Sequence, residues 1–236
     1  MKLALFGGGA MGRLISARAK DEGHEVALVL TSRDAQRSAD ELQDLLRGHD
    51  AAIDFSVAGA VLSNVTACVR AGVPIVVGTT GWSLHEPDVR RVVEEHGGAL
   101  LYGANFSIGV NIFYRIVARA AELFQDVPYY ASFIEEAHHA RKRDAPSGTA
   151  LRLRDLLAPV ADDIPVASTR AGYIPGTHRV GFDSDADQVM LTHTARTREG
   201  FAAGALLAAG WIVGQQGTYE FSDVLNKILA ERTIRK

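Results

Sequence analysis

One cysteine stands among 236 residues, so Cys68 can form no disulfide within the chain and no cysteine-based metal site can be built. It lies in an apolar helical pattern and reads as a small core residue rather than a nucleophile. The charge is nearly balanced, at −3, which argues against a general nucleic-acid surface. Long apolar runs are also missing. The longest, Phe201 to Val213, has 13 residues and two glycines, and it reads as a buried helix. A membrane span would need about 20 residues. Met1-Lys2 leads straight into a strand-like run with no leader pattern, so a cytoplasmic protein is expected, with no membrane and no nucleic-acid partner. No internal repeat, heptad run or low-complexity segment occurs.

What is present is ordinary globular composition, 47% hydrophobic and 22% charged, over a length sufficient for one large domain or two modest ones. Lys2 to Phe6 is a short apolar run that ends in Gly7-Gly8-Gly9-Ala10-Met11-Gly12, and a helical stretch follows to Glu22. Strand, glycine turn and helix in that order are the context a dinucleotide fingerprint requires. The first glycine permits the tight turn, the second admits the pyrophosphate, and the third lets helix pack on strand. A second strand, Glu25 to Leu30, leads to Thr31, Ser32 and Arg33. NAD-selective sites place an acidic residue near here. None occurs from Leu30 to Arg33. Thr31 and Ser32 can hydrogen-bond and Arg33 could face a 2′-phosphate, so NADPH or NADH is expected, with NADPH favoured.

The alternation continues. Helices are expected at Arg37–Arg47, Ala58–Ala71 and Asp88–Glu95, and strands at Ala51–Phe55, Pro74–Val77 and Ala99–Tyr102. This pattern implies βαβ units and a parallel sheet, with ligands at the carboxyl ends of its strands. Two more turns fall there: Gly78-Thr79-Thr80-Gly81, and Gly103-Ala104-Asn105-Phe106-Ser107. A helix over Ile108–Phe124 would present Ile112, Ile116, Val117, Ala120 and Leu123. Beyond it the signal changes to strands at 129–136, 180–183 and 188–193, a helix at 150–157 and a loop-rich 162–176. A second, α+β domain with a mixed or antiparallel sheet is expected. Helices at 201–213 and 222–231 close the chain.

Glu135 to Ala150 concentrates the chemistry. His138 and His139 are adjacent, so their side chains should point apart and can take separate roles. Lys142 adds a fixed cation three residues on. Ser147 is a plausible helix N-cap, which would aim the free N–H groups of Gly148 and Thr149 outward as a carboxylate cradle. A solvated charged turn is the plain alternative, and Arg141 and Arg143 fit it. A zinc site is disfavoured, because adjacent histidines rarely chelate one ion; no metal is expected. Beside a dinucleotide domain the cluster gains a purpose, since hydride transfer leaves an electron-rich product that needs a proton.

Glu136-Ala137-His138-His139-x-x-Lys142-x-Asp144-Ala145-Pro146-Ser147-Gly148-Thr149-Ala150 closely resembles the signature of the dihydrodipicolinate reductases (4-hydroxy-tetrahydrodipicolinate reductases) of bacterial lysine biosynthesis. The resemblance extends through Gly7–Gly12, Ile53–Ser56, Gly78–Gly81, Asn105–Asn111 and His193 to Ala205. It implies NAD(P)H-dependent reduction of 4-hydroxy-2,3,4,5-tetrahydrodipicolinate to 2,3,4,5-tetrahydrodipicolinate. It also implies proton transfer by His138 and Lys142, with His139, Gly148 and Thr149 on the dicarboxylate substrate and Ser147 at the same turn. By the same resemblance Gly7–Gly12, Gly78–Thr80 and Ala104–Ser107 bind the cofactor. A Rossmann domain over 1–107, completed by 208–236, and an open-sheet domain over 108–207 that builds a homotetramer are likewise implied. Ala10 replaces the family's usual arginine before Met11, and the acid after the second strand is absent. Both departures bear on cofactor choice. The rival readings are another two-domain NAD(P)-dependent dehydrogenase and a non-catalytic dinucleotide sensor.

Overall fold

Lys2–Phe6 (β1) buries four consecutive residues after an exposed lysine, as a strand covered on both faces must. The structure, a computed structural model, describes residues 1–34 and 37–234, without the side chains of 230–234. After β1 come α1 (Ala10–Asp21), β2 (Glu25–Leu30), α2 (Ala39–Leu46), β3 (Ala51–Asp54), α3 (Val61–Arg70), β4 (Ile75–Val77), α4 (Glu86–Glu95) and β5 (Ala99–Tyr102). Then follow α5 (Ile108–Phe124), β6 (Ala131–His138), α6 (Gly148–Leu157), β7 (Val166–Arg170), β8 (Gly176–Asp183), β9 (Gln188–Ala195), α7 (Glu199–Ile212), β10 (Gly217–Glu220) and α8 (Phe221–Ile234). The chain divides into two compact units, residues 1–108 with the segment from Arg198 onward, and residues 109–197.

The first unit is a six-stranded parallel sheet in the order β10-β5-β4-β3-β1-β2, the Rossmann arrangement. One face is covered by α1, α7 and α8 through Leu3, Leu5, Ile15, Ala205, Ala209 and Phe221. The other is covered by α2, α3 and α4 through Leu42, Val65, Val69, Val89 and Val93, with Cys68 buried among them. Ser38 caps α2 in a reciprocal capping box with Glu41, so this helix begins two residues later than its apolar spacing suggests. α7 is apolar and rich in small residues, which brings it close to the chain beneath. A side chain at Gly204 would run into the carbonyl of Phe106. All of α7 packs on this sheet, so the first unit resumes at Arg198, ten residues before the 208 implied by family resemblance.

Two strands escape the sequence pattern. β10 is a four-residue edge strand beside β5, and β7 lies inside the stretch expected to be loop. β7 reads Val-Ala-Ser-Thr-Arg with its middle three residues exposed, so no apolar alternation advertises it.

The second unit is a four-stranded mixed sheet in the order β7-β6-β8-β9, with β7 parallel to β6 and the other pairs antiparallel. α5 and α6 cover one face, where Phe113, Val117, Ile134, Leu153, Val180 and Phe182 form the core. The buried side of α5 is Val110, Phe113, Val117 and Ala121; Ile112, Ile116 and Leu123, expected on the apolar face, are exposed instead. β6 begins and ends two residues later than its hydrophobic run suggests. His138 is therefore the last residue of the strand rather than part of the loop after it.

Candidate functional site

β1 and β3 are neighbours whose connections run to opposite sides, β1 through α1 to β2 and β3 through α3 to β4, and a crevice opens at the carboxyl ends of strands where this happens. Gly7, Gly8, Gly9, Ala10, Met11 and Gly12 form that end. Gly7 has φ +106°, and a side chain there would meet the Phe55 carbonyl. A side chain at Gly12 would strike the Gly7 carbonyl, so α1 rests directly on the turn. α1 has no side-chain cap and no acid in its first turn. The N–H groups of Ala10, Met11 and Gly12 have no intrahelical acceptor there, and they suit a pyrophosphate.

The neighbouring turns are held from below. Asp54, fully buried at the end of β3, accepts hydrogen bonds from Ser56 N (2.8 Å), Ser56 Oγ (2.6 Å), Thr79 Oγ1 (2.8 Å) and Asn64 Nδ2 (2.8 Å). Four donors on one carboxylate tie the β3 and β4 turns to α3. The Thr79 hydroxyl is thereby committed to the fold, as are the Gly78 and Thr79 N–H groups, which donate to the Asp54 carbonyl (2.8 and 3.2 Å), and the Thr79 carbonyl, which accepts from Trp82 Nε1 at 2.8 Å; exposed Thr80 is left to face a ligand. Ala104 is exposed, Asn105 Oδ1 accepts from Ser107 N at 2.9 Å, and the Phe106 ring packs against Phe221 at 4.7 Å. Phe106 can reach a cofactor only through its main chain.

After β2, Thr31 packs near Gly8, and exposed Ser32 and Arg33 start a single 3-10 turn. Asp34 closes that turn. Its carboxylate accepts from Thr31 N (2.9 Å) and Arg37 Nε (3.0 Å), and the Thr31 bond leads in holding it below the usual range. An acid is therefore present beyond the strand after all, one position past the stretch read from the sequence.

The second unit carries two polar rows across the helix-covered face of its sheet. Ile134 pairs with Val166 and Val180, and Val180 with Leu191, an apolar level. Two residues on, Glu136 pairs with Ser168 and His178, and His178 with His193. At the end of β6, His138 pairs with Arg170. Gly176 supplies the floor: a Cβ there would sit 3.1 Å from His138 Nε2.

Glu136 is the hub, with its side chain 0% exposed. Oε1 accepts from Arg170 (2.6 Å), Ser168 Oγ (2.7 Å) and Ser147 N (3.1 Å). Oε2 lies 3.1 Å from His138 Nδ1 and 3.7 Å from His178 Nε2. Burial alone would raise this carboxyl, but the Ser147, Arg170 and Ser168 hydrogen bonds outweigh it and hold it at about 2. Burial pushes His178 down to about 4, with His138 adding to the fall and Glu136 opposing it. Burial also lowers His138, against the pull of Glu136, and lowers His193. The geometry of Glu136, His138 and His178 could admit a cation, yet Arg170 already places a positive charge on the same carboxylate.

The remaining residues cluster at the end of β6. Ser147 caps α6: its Oγ accepts from Ala150 N (3.3 Å) and bonds His178 Nε2 (3.1 Å). Gly148 and Thr149 occupy the first two helical positions, with N–H groups that have no acceptor inside the helix. His139 is half-buried, and Lys142 Nζ pairs with Asp144 at 2.8 Å. The same turn is pinned by Arg170, which donates to the Asp144 carbonyl at 2.5 Å.

A family model described as "Dihydrodipicolinate reductase, N-terminus" matches residues 1–106, and its C-terminal counterpart matches 109–225. The chain belongs to the dihydrodipicolinate reductase family. Among its relatives, the 4-hydroxy-tetrahydrodipicolinate reductase of Christiangramia forsetii is 34% identical over 97% of this chain and 99% of its own. That of Archaeoglobus fulgidus is 33% identical over 95% and 100%. The fold matches dipicolinate-bound dihydrodipicolinate reductase from Paenisporosarcina sp. TG-14, with a TM-score of 0.76 at 19% identity over 95% of this chain and 99% of that one.

Within this reductase framework, sequence reasoning did not assign Glu136, Ser168, Arg170, His178 or Asp54. A charged residue on the apolar parity of Ile134 marks Glu136, and the parity of Val180 and Phe182, extended back two residues, marks His178. For Ser168 and Arg170 there was no signal, because β7 itself was unread. His178 stays neutral in the fold, so its stabilising contribution is complete above about pH 6.5 and is lost as pH falls toward about 4. Glu136 contributes fully above about 4.5 and loses its share toward about 2. Urea denaturation followed across pH should show stability falling through both windows, and His178→Asn should make the upper fall shallower. An upper fall as steep in His178→Asn as in the wild type would refute the assignment.

Proposed function

We infer that the protein is an NAD(P)H-dependent oxidoreductase that reduces 4-hydroxy-2,3,4,5-tetrahydrodipicolinate to 2,3,4,5-tetrahydrodipicolinate, a step of the diaminopimelate route to lysine. The observation that carries the reading is the joining of a bare helix N-terminus at Gly148 and Thr149 to a buried histidine, His138, inside the family's signature stretch. The relative from Paenisporosarcina was obtained with dipicolinate, a ring dicarboxylate. In this chain Gly148, Thr149 and His139, with Ser147 ordering the turn, hold a substrate carboxylate. Bound NAD(P)H supplies the hydride, to ring carbon C4. His138 and Lys142 deliver the proton that the reduced ring then requires, and loss of the 4-hydroxyl as water balances the reaction. A step that draws on the nicotinamide pool suits the cytoplasm. Purified protein should oxidise NADPH or NADH only when this substrate is present, and His138→Gln or Lys142→Ala should lower kcat by ~10²-fold or more. Undiminished turnover in both variants would remove the proton-transfer roles.

Cofactor contacts are assigned to Gly7–Gly12, Thr31, Ser32, Arg33, Gly78–Thr80 and Ala104–Ser107, with NADPH preferred. Arg33 is exposed at the β2 turn, and Arg37 offsets the Asp34 carboxylate. Arg33→Ala should weaken NADPH at least several-fold more than NADH in binding titrations. Equal weakening of both would end the phosphate role.

The face of the second sheet opposite α5 and α6 presents Met190 (38% exposed), the Arg179–Glu135 pair and Thr192. This face is assigned to a homotetramer. Sedimentation velocity should give a mass of about four chains, and a monomer at micromolar concentration would exclude it.

A further inference from the structure

We propose that Glu136 is the positioning residue for His138: it holds the imidazole in the tautomer with the proton on Nδ1, so that Nε2 is the nitrogen presented for proton exchange. The inference rests on the reading of His138 as a proton-transfer residue and adds the group that orients it.

The argument comes from two atoms. His138 Nδ1 and Glu136 Oε2 are both fully buried, and neither has an aligned hydrogen bond to any partner among the described residues. They lie 3.1 Å apart. A small turn of the ring that brings an Nδ1–H onto the carboxylate satisfies both atoms, whereas a bare Nδ1 would leave each unsatisfied in a buried site. His178 Nε2 is the other candidate donor to Oε2, but it is farther, at 3.7 Å, and already bonded to Ser147 Oγ at 3.1 Å. The His138 side chain keeps 11% of its surface while Nδ1 has none, so the accessible edge of the ring is the other one. Nε2 lies above Gly176, where any larger residue would crowd it.

Glu136 itself cannot turn. Arg170, Ser168 and the Ser147 N–H all converge on Oε1, which fixes Oε2 toward the two histidines. The charged and titratable groups around His138 are Glu136 on its own strand, Arg170 on β7, His178 on β8, and Lys142 and Asp144 on the loop that follows. Burial opposes the imidazolium most; Glu136 and Asp144 favour it, and Arg170 and Lys142 oppose it. Of the two carboxylates, Glu136 alone is held against the ring by three fixed donors. Once His138 has given up its Nε2 proton, the neutral ring retains Nδ1–H toward Glu136, and no rotation is needed before the next proton arrives.

Glu136→Gln tests this sharply. The three donors on Oε1 would pin the amide oxygen in place and put its NH2 where Oε2 stood, facing Nδ1. Nδ1 then becomes the acceptor and the proton moves to Nε2. Nitrogen-15 NMR of the wild-type ring should report Nδ1–H for neutral His138, and Glu136→Gln should report Nε2–H. With the substrate, kcat should fall about tenfold or more while KM changes less than about threefold. The limb of the kcat profile that needs protonated His138 should move to lower pH, since the amide no longer favours the imidazolium. Glu136→Asp, which keeps the carboxylate, should recover part of kcat and the Nδ1–H signal. A wild-type ring with its proton on Nε2 overturns the proposal even if the variants fail to fold. So does a folded Glu136→Gln with the wild-type tautomer and pH profile. If His138→Gln leaves turnover intact, the parent reading fails instead, whatever the tautomer shows.

Discussion

A carboxylate with no exposed side-chain surface, Glu136, sets the arrangement of the second unit's polar end. An unpaired charge in such a place would cost several kcal/mol, so the fold surrounds it with a guanidinium, a hydroxyl and a helix-start N–H. Those three donors come from two other elements. Arg170 and Ser168 bring β7, and Ser147 brings α6 with the turn before it. Satisfying one buried oxygen therefore places the strand edge, the helix N-terminus and, through Arg170 on the Asp144 carbonyl, the loop that carries Lys142. The second oxygen faces His138 and His178, at 3.1 and 3.7 Å, without an aligned hydrogen bond to either. The start of α6 and the imidazole of His138 are thus placed by one charge-compensation problem.

The first unit is organised by close approach rather than by charge. Gly7, Gly12, Gly78 and Gly204 stand where a Cβ would strike a carbonyl or the Phe55 ring. Their absence of side chain lets α1 and α7 settle on the strand ends and exposes main chain where a pyrophosphate can reach it. Asp54 plays the supporting part that Glu136 plays in the other unit, joining β3, β4 and α3 with four hydrogen bonds. In both units a buried acid at or near the end of a strand fixes the turns around it.

How much of this was legible follows from the range of each interaction. The glycine turn at residues 7–12, the βαβ alternation and the Ser147 cap are local, with spacings written along the chain. The helix start at Gly148 follows from the serine before it. β7 left no trace because it is a half-wet edge whose apolar residues do not alternate, and with it went Arg170 and Ser168. α5 misled in another way. Its apolar residues exceed what one buried face can hold, so spacing alone could not say that Val110, Phe113, Val117 and Ala121 are the ones covered.

By itself the sequence determined the dinucleotide turn, the alternation of strand and helix, the family signature over 136–150 and the chemical kinds of group available there. The tertiary structure alone decided which of those groups face one another. Ser168, Arg170 and His178 lie 32, 34 and 42 residues beyond Glu136, and only the register of β7 and β8 against β6 brings them to one oxygen pair. Strand register depends on how apolar faces are buried together, a sum over distant contacts, and a shift of one residue would turn every one of these side chains to the opposite face.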